Sequence, residues 1–217
     1  MENKESQGAY GSILSRDFVL AFFVLFTFIT SLYALVPTLP LYLERLGSNV
    51  SEIGVIIGAY GVASLAFRFV AGGVLLKYSE KTIMIAGAVF AIFSFLASLI
   101  LRPFWPFFAI RFLQGAAMAF LDTAVLAFIV SITPTTYRGQ GMAYILLAPS
   151  LAMVVAPVSA MWFIGRYSFT AFFLACAVLS LFSLFFACTV DTKSVERSQA
   201  KVSIRSELYL LPRLMIP

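Results

Sequence analysis

Two ionisable side chains inside long apolar runs are the first candidates for chemistry. Asp122 lies near the middle of the run 107–132, and Arg111 lies about four residues inside the same run. A charged side chain at the centre of a bilayer costs at least about 2.5 kcal/mol, so such groups mark pathways for ions or substrates. A carboxylic acid removed from water can hold a proton at neutral pH, which suits a proton carrier.

Arg111 and Asp122 share one face of the predicted helix. Eleven residues at about 100° each return to within about 20° of the same direction, about 16 Å farther along the axis. This separation excludes a direct ion pair, but it allows both groups to line one cavity wall, with Gln114 and Thr123 near them. The alternative is that Asp122 makes a structural hydrogen bond to a neighbouring helix.

The first apolar run carries a stripe of hydroxyl groups. Thr27, Thr30 and Ser31 recur at positions i, i+3 and i+4, and Tyr33 lies beside them. Such a stripe faces a substrate path or serves close helix packing, and the sequence leaves both interpretations open. We include Tyr33 among the candidate pathway residues.

The second apolar run contains one arginine and a pair of spaced glycines. Arg68 lies about two turns from the end of the run, where its long side chain can reach the lipid headgroups by snorkelling. Gly54 and Gly58 have the Gly-x-x-x-Gly spacing that is typical of close helix packing in membranes.

The composition excludes a soluble domain of any size. Of the 217 residues, 61% are hydrophobic and 12% are charged, and the charges lie in short gaps between the runs. Each run exceeds the length of about 18 residues at which a membrane span is the expected structure. We predict a six-helix transmembrane domain over 17–190, with spans at 18–42, 53–76, 83–101, 107–132, 142–164 and 169–188. Residues 1–16 are predicted to form a cytoplasmic segment. Residues 191–217 are predicted to form a cytoplasmic linker that leads into a seventh helix from Leu208.

The distribution of Lys and Arg predicts the orientation. If both termini and alternate loops lie on one side, that side holds ten basic residues, whereas the other holds only Arg45, Arg102 and Arg166. The positive-inside rule then places both termini in the cytoplasm, as expected for a multi-pass protein of the plasma or inner membrane. Because these flanking positions explain the net charge of +5, we infer no nucleic-acid partner.

The residue types available argue against an enzyme or a metalloprotein. The sequence contains no histidine and two cysteines, Cys176 and Cys188, which lie about 18 Å apart along one helix. No nucleophile has a partner base, and no metal-ligand cluster is present in the sequence. We therefore expect no catalytic residues, no metal and no cofactor.

A shift of 89 residues reveals an internal repeat. It carries the first three spans onto the last three, Lys77-Tyr78-Ser79 onto Arg166-Tyr167-Ser168, and Ala71 onto Ala160. Because each unit has an odd number of spans, the second unit is inverted relative to the first. The predicted fold is an all-α membrane protein of two inverted three-helix repeats, an arrangement typical of secondary transporters.

The loop after the second span resembles a motif of the major facilitator superfamily of transporters. That family carries Gly-x-x-x-Asp-Arg/Lys-x-Gly-x-Arg/Lys here, and Gly72, Lys77 and Lys81 match it. Leu76 and Ser79 replace the aspartate and the second glycine. The resemblance implies a loop that latches the cytoplasmic side between conformations. For Lys77 and Lys81, the alternative is simple positive-inside anchoring.

Three further stretches resemble the same family. Residues 111–115 read Arg-Phe-Leu-Gln-Gly, similar to the Arg-x-x-Gln-Gly stretch of its fourth helix, and 35–42 resemble the outer end of its first helix. The glycine-rich motif of its antiporters has Pro157 in place, with alanine at three of four glycine positions. We expect Gly115 and Pro157 to serve helix packing and bending.

The resemblance implies the N-terminal six-helix half of a twelve-helix secondary transporter. We expect a proton-coupled carrier of small solutes, with efflux of drugs or metabolites as the leading direction. Import of sugars or metabolites is one alternative, and a transport-incompetent scaffold is another. The expected partners are a small-molecule substrate, protons, the lipid bilayer, and a missing C-terminal half or a second copy of the chain.

Overall fold

The computed structural model describes residues 15–100 and 104–191, and six helical spans account for most of them. The first span consists of two helices, Arg16–Tyr33 and Leu35–Arg45. The second, third and fourth spans are single helices, Val50–Leu75, Glu80–Ile100 and Phe104–Ile132. The fifth span joins a 3₁₀ turn, Thr135–Tyr137, to helices Arg138–Ile145 and Leu147–Arg166, and the sixth span is Phe169–Thr189. The predicted all-α fold with six spans is confirmed.

Several predicted features lie outside the described residues. They are the cytoplasmic segment up to residue 14, Arg102 at the end of the third span, and the linker with the start of a seventh helix at Leu208.

The helix of the fifth span begins before the predicted membrane span. Residues 135–141, which lie between the predicted spans 107–132 and 142–164, form the 3₁₀ turn and the start of the helix Arg138–Ile145. The segment contains Arg138 and Gln140 and is too polar to be recognised by its hydropathy. Hydropathy reports which residues favour the hydrocarbon layer, whereas a helix can extend beyond that layer.

Side-chain caps determine where several helices begin. Asn49 and Glu52 form a capping box in which each side chain accepts a hydrogen bond of 2.9 Å from the other residue's backbone N–H. Ser168 accepts from the N–H of Ala171 at 3.2 Å at the start of the sixth span. These bonds satisfy N–H groups that have no partner in the first helical turn.

The turn between the first two spans depends on glycine. Gly47 has a φ of +86°, which side chains with a Cβ rarely adopt, and its N–H donates to the carbonyl of Glu44 at 2.9 Å. The N–H of Ser48 then reaches back to Leu43 at 3.1 Å, as in a Schellman-type helix end.

The fourth span lies at the centre of the packing. The second span packs along it, and the third lies between it and the sixth. The first span packs against the fifth and the sixth and also contacts the fourth. In their most apolar 18-residue stretches, the second and fifth spans are only 17% and 28% buried, compared with 39% to 61% for the other four. These two spans therefore present the largest exposed apolar faces.

The internal repeat is visible in the helices and in their buried faces. A shift of 89 residues carries Glu80–Ile100 onto Phe169–Thr189, residue for residue. All four buried residues of the second span land on buried residues of identical type in the fifth span. The four are Ile56, Ala59, Ala63 and Ala71, and their counterparts are Ile145, Ala148, Ala152 and Ala160. The two spans therefore pack through the same surface, at Ile and Ala positions.

One end of the bundle is closed by side chains that bind the end of the sixth span. The ammonium group of Lys81 donates to the carbonyls of Cys188 and Val190, both at 2.7 Å. The N–H of Asp191 donates to Oδ1 of Asp17 at 3.2 Å. Because carbonyls at a helix C-terminus carry partial negative charge, the lysine stabilises this end.

Candidate functional site

An ion pair joins the second span to the fourth within the membrane-spanning region. Nη2 of Arg68 lies 2.8 Å from Oδ2 of Asp122, and the two side chains are 49% and 12% exposed. The expectation that Arg68 snorkels to the headgroups is therefore wrong. A counter-ion lowers the cost of a carboxylate inside a span, and Arg68 supplies one from the neighbouring helix.

Gly115 explains why these two spans come close enough for the pair. A Cβ atom at this position would lie 2.4 Å from the carbonyl oxygen of Tyr60 and 2.8 Å from the Cβ of Ala63. Only glycine permits this approach of two backbones. Asp122 follows seven residues later, two helical turns along the same face, and there meets Arg68.

Arg111 is more deeply buried than Asp122 and has no carboxylate partner among the described residues. Arg111 is 5% exposed, and its Nη1 donates a hydrogen bond to Oε1 of Gln114 at 3.1 Å. The guanidinium carbon lies 5.5 Å from the centroid of the Tyr60 ring, a cation–π contact. Nε of Arg111 is buried, with no hydrogen-bond partner in the described part of the chain.

A small cavity lies beside Arg111 and Gln114. Its volume is about 10 Å³, which is about the size that holds one water molecule. It is lined by residues of the first, third, fourth and sixth spans, namely Leu35, Leu39, Ser98, Phe107, Ile110, Arg111, Gln114 and Phe173.

The cavity contains two of the predicted pathway residues. Asp122 and Thr123 are not among the residues that line this cavity, although Arg111 and Gln114 are. The reason is that the second span covers the fourth and pairs Asp122 with Arg68. Thr123 is half-buried elsewhere on the fourth span. Arg111 and Asp122 were predicted to lie too far apart for an ion pair, and each does bind a different partner, Gln114 and Arg68 respectively.

Tyr60 is a member of this site that the sequence did not reveal. Its ring centroid lies 5.5 Å from the guanidinium carbon of Arg111 and its carbonyl oxygen lies against Gly115, so it connects the second and fourth spans. A single tyrosine in an apolar run gives no distinctive signal. Arg68 did carry one, since intramembrane ionisable groups pair with one another.

A family comparison decides the class of protein that carries this site. The model of the Major Facilitator Superfamily matches residues 21–214. The chain belongs to this superfamily. The match covers most of the six-span bundle described above.

Individual relatives in the superfamily share a quarter or so of their residues with this chain. The uncharacterized MFS-type transporter YceJ of Bacillus subtilis (strain 168) is 28% identical over 207 residues, which are 91% of this chain and 51% of that protein. Multidrug resistance protein 2 of the same organism is 25% identical over 175 residues, 78% of this chain and 44% of that protein. The staphylopine export protein of Staphylococcus aureus (strain Mu50) is 23% identical over 159 residues, 70% and 38% of the two. The chain thus spans about half the length of the curated relatives that it matches.

The hydroxyl stripe of the first span, for which we left pathway and packing open, forms hydrogen bonds within the bundle. Thr27 and Thr30 donate to the carbonyls of Phe23 and Phe26 in their own helix, at 2.7 and 2.6 Å. Ser31 donates to its own helix and accepts from Ser180 of the sixth span at 3.1 Å. These bonds favour packing for the stripe, and Tyr33 beside it is half-buried.

The two glycines of the second span lie on its exposed face. A Cβ on Gly54 or Gly58 would meet nothing within 4 Å among the described residues. Both face away from the bundle, because the packed face of this span is the one that carries Ala59 and Ala63.

The superfamily's loop and fifth-helix motifs have different surroundings. Gly72 and Lys77 are exposed, whereas Lys81 is engaged with the end of the sixth span. Pro157 is half-buried within the helix Leu147–Arg166, next to the buried Ala156. Gating by the loop and bending at Pro157 remain predictions.

Proposed function

We propose that this chain forms one half of a proton-coupled secondary transporter that exports small solutes, and that it is not an enzyme. The carrying observation is the ion pair of 2.8 Å between Arg68 and Asp122, inside the spans of a superfamily member. Charged groups are costly at this depth, so their presence favours a role in moving ions or substrate.

The roles of the pathway residues follow from their environments. Asp122 alternates between the ionised and the protonated form and so carries the transported proton. Arg111, held by Gln114, supplies a fixed positive charge about 16 Å away along the same helix. Thr123 and Tyr33 contribute hydroxyl groups to the path, while Gly115 keeps the second and fourth spans in contact.

The proposed direction is export. It is supported by relatives whose names include multidrug resistance and export, at 23% to 28% identity. The membrane is the plasma or inner membrane, with both termini in the cytoplasm, as the distribution of Lys and Arg favours. On that side, the loop with Gly72, Lys77 and Lys81 would act in gating.

The substrate path requires a second six-helix unit, supplied by further residues of the same protein or by a second copy. Alternating access needs two units that rock about a shared site. The exposed apolar faces of the second and fifth spans are the surfaces on which this unit would dock. The half-exposed Arg68 supports that placement, since lipid is a poor environment for a guanidinium group.

The test uses the complete protein, with its second unit, reconstituted in lipid vesicles under an imposed proton gradient. We expect an amphiphilic fluorescent cation to be moved against its gradient, with protons moving in the opposite direction. Collapse of the gradient with a protonophore should stop the movement, and Asp122→Asn should abolish coupling. Probe movement that is indifferent to the gradient would disprove proton coupling, and no movement of any solute would disprove the transport function.

The need for a second unit has its own test. The mass of the native complex and the reading frame beyond codon 217 together show which source supplies it. A complex that contains only six spans and still transports would overturn this part of the proposal.

A further inference from the structure

Arg68 and Asp122 are held very differently. Asp122 lies on the central fourth span and is 12% exposed, whereas Arg68 is 49% exposed at the edge of the bundle. Arg68 lies seven residues before the end of its helix at Leu75, which is about 10 Å of helix. One partner of the ion pair therefore lies inside the bundle, and the other lies at its surface.

The two spans also touch without the ion pair. The backbone contact at Gly115 lies on one side of it. Phe67, next to Arg68, packs its ring against Phe112 and Phe120, with centroids 5.7 and 6.0 Å apart. Loss of the ion pair would leave these contacts in place. The ion pair is thus one polar contact added to these backbone and aromatic contacts, and it can break while the two helices stay together.

Few other charges in the described residues act on Asp122. On the second span, Arg68 contacts the carboxylate, and the ring of Tyr60 lies 5.5 Å from the guanidinium carbon of Arg111. Arg111 is eleven residues away on the fourth span itself and contacts Gln114. The third span has its charges, Glu80 and Lys81, at its first turn. Arg68 is the one cation within 4.0 Å of the carboxylate in the part of the chain that the structure describes.

We propose that Arg68 is a positioning residue that couples the protonation of Asp122 to the link between the second and fourth spans. This inference rests on the proposed function. A proton from water binds the carboxylate oxygen of Asp122, which becomes a neutral carboxylic acid. The charge-assisted bond to Nη2 of Arg68 is then lost, and the guanidinium group keeps its own proton and its charge. It moves toward the exposed face of the second span, the proposed docking surface of the second unit.

The inference is tested by infrared difference spectra of the complete protein in lipid as the pH is lowered. The carbonyl band of the protonated Asp122 is identified by its absence in Asp122→Asn. We expect Arg68→Gln to move the appearance of this band to higher pH by about one unit or more, because the opposing cation is gone. Arg68→Lys should stay close to the wild type. A band that appears at the wild-type pH in Arg68→Gln would overturn the proposal.

Arg45→Gln is the matched control. Arg45 is another arginine, but it lies at the end of the first span, 5.0 Å from the ring centroid of Phe169. Its removal should leave the Asp122 band unchanged. A shift as large as that of Arg68→Gln would show that any lost charge has this effect, and the specific role of Arg68 would be rejected.

A labelling experiment covers the case in which Arg68→Gln does not fold. Cys176 and Cys188 are free, so both are first replaced by alanine and Arg68→Cys is added. Labelling with an aminoethyl thiosulfonate restores a positive charge, and labelling with a methyl thiosulfonate does not. We expect the band at higher pH only with the methyl label, and equal bands would contradict the inference. Since no substrate is needed, absent flux in the wild type would defeat the proposed function while this experiment still decides the role of Arg68.

Discussion

The second span packs on the fourth, and the fifth span packs on the first. These are equivalent helix pairs of the two repeats. The 89-residue shift aligns their sequences, and every buried residue of the second span corresponds to a buried residue of the same type in the fifth. The partner helices differ. Where the fourth span has Gly115 and Asp122, the first has Phe26 and Tyr33, and Pro157 takes the place of Arg68.

This difference separates packing from chemistry. The shared alanine surface specifies how a helix lies against its neighbour in both repeats. The charges were placed in one pair only, where a glycine allows the closest approach. A duplicated packing surface therefore supports an asymmetric site.

The contact at Gly115 should be the most sensitive point of the comparison. Gly115→Ala places a Cβ atom 2.4 Å from the Tyr60 carbonyl oxygen, and we expect it to lower the free energy of unfolding by about 3 kcal/mol. Detergent-induced unfolding followed by circular dichroism measures the change. Gly58→Ala is the control, since its Cβ would meet nothing within 4 Å. Equal stability of the two variants would show that the close approach is not required.

Asp122 and Tyr33 occupy equivalent positions, and their removal should have unequal effects. Asp122→Asn is expected to eliminate proton-driven accumulation of the transported probe. Without a titrating group, proton binding can no longer favour one conformation over the other. Tyr33→Phe, which removes only a hydroxyl, should reduce the initial rate by a smaller factor. Both are measured in vesicles with an imposed pH gradient. A larger loss in Tyr33→Phe would assign the proton site to the other repeat.

The shared packing surface predicts equal sensitivity of the two repeats to added volume. Ala63 and Ala152 are equivalent and both fully buried. Ala63→Val and Ala152→Val should each cost about 1–3 kcal/mol of unfolding free energy, since extra methyl groups at fully buried positions force neighbouring atoms to shift. The same unfolding measurement compares them. If one variant keeps its free energy of unfolding and the other loses it, the two positions are not equivalent.

The smallest effects are expected at the helix starts that the repeats share. Ser79 and Ser168 are equivalent, and each hydroxyl accepts from a backbone N–H three residues later, at 3.4 and 3.2 Å. Replacement of either serine by alanine should cost about 0.5–1 kcal/mol. Threonine, which retains the hydroxyl, should restore most of the stability in both, and failure at one site would mark that cap as dispensable.

The sequence predicted the fold better than it predicted the site. Apolar run length sufficed for six spans, because the thickness of the bilayer sets the length of each spanning helix. Arg68 was misassigned because its depth along one helix does not show which neighbour it faces. The contact with Asp122 spans 54 residues and depends on the approach at Gly115, a three-dimensional property. Tyr60 was missed for the same reason.

The bonds made by Lys81 also constrain the order in which the chain can assemble. They join residues 107 and 109 positions apart, so they cannot form until the sixth helix has left the ribosome and entered the membrane. The bond between Asp17 and Asp191 spans 174 residues and must wait as long. Until then, the first and third helices have no partner for these side chains at that end. Closure of this end of the bundle is therefore a late event in biogenesis. Synthesis arrested before the sixth helix would leave Asp17 and Lys81 without these hydrogen bonds.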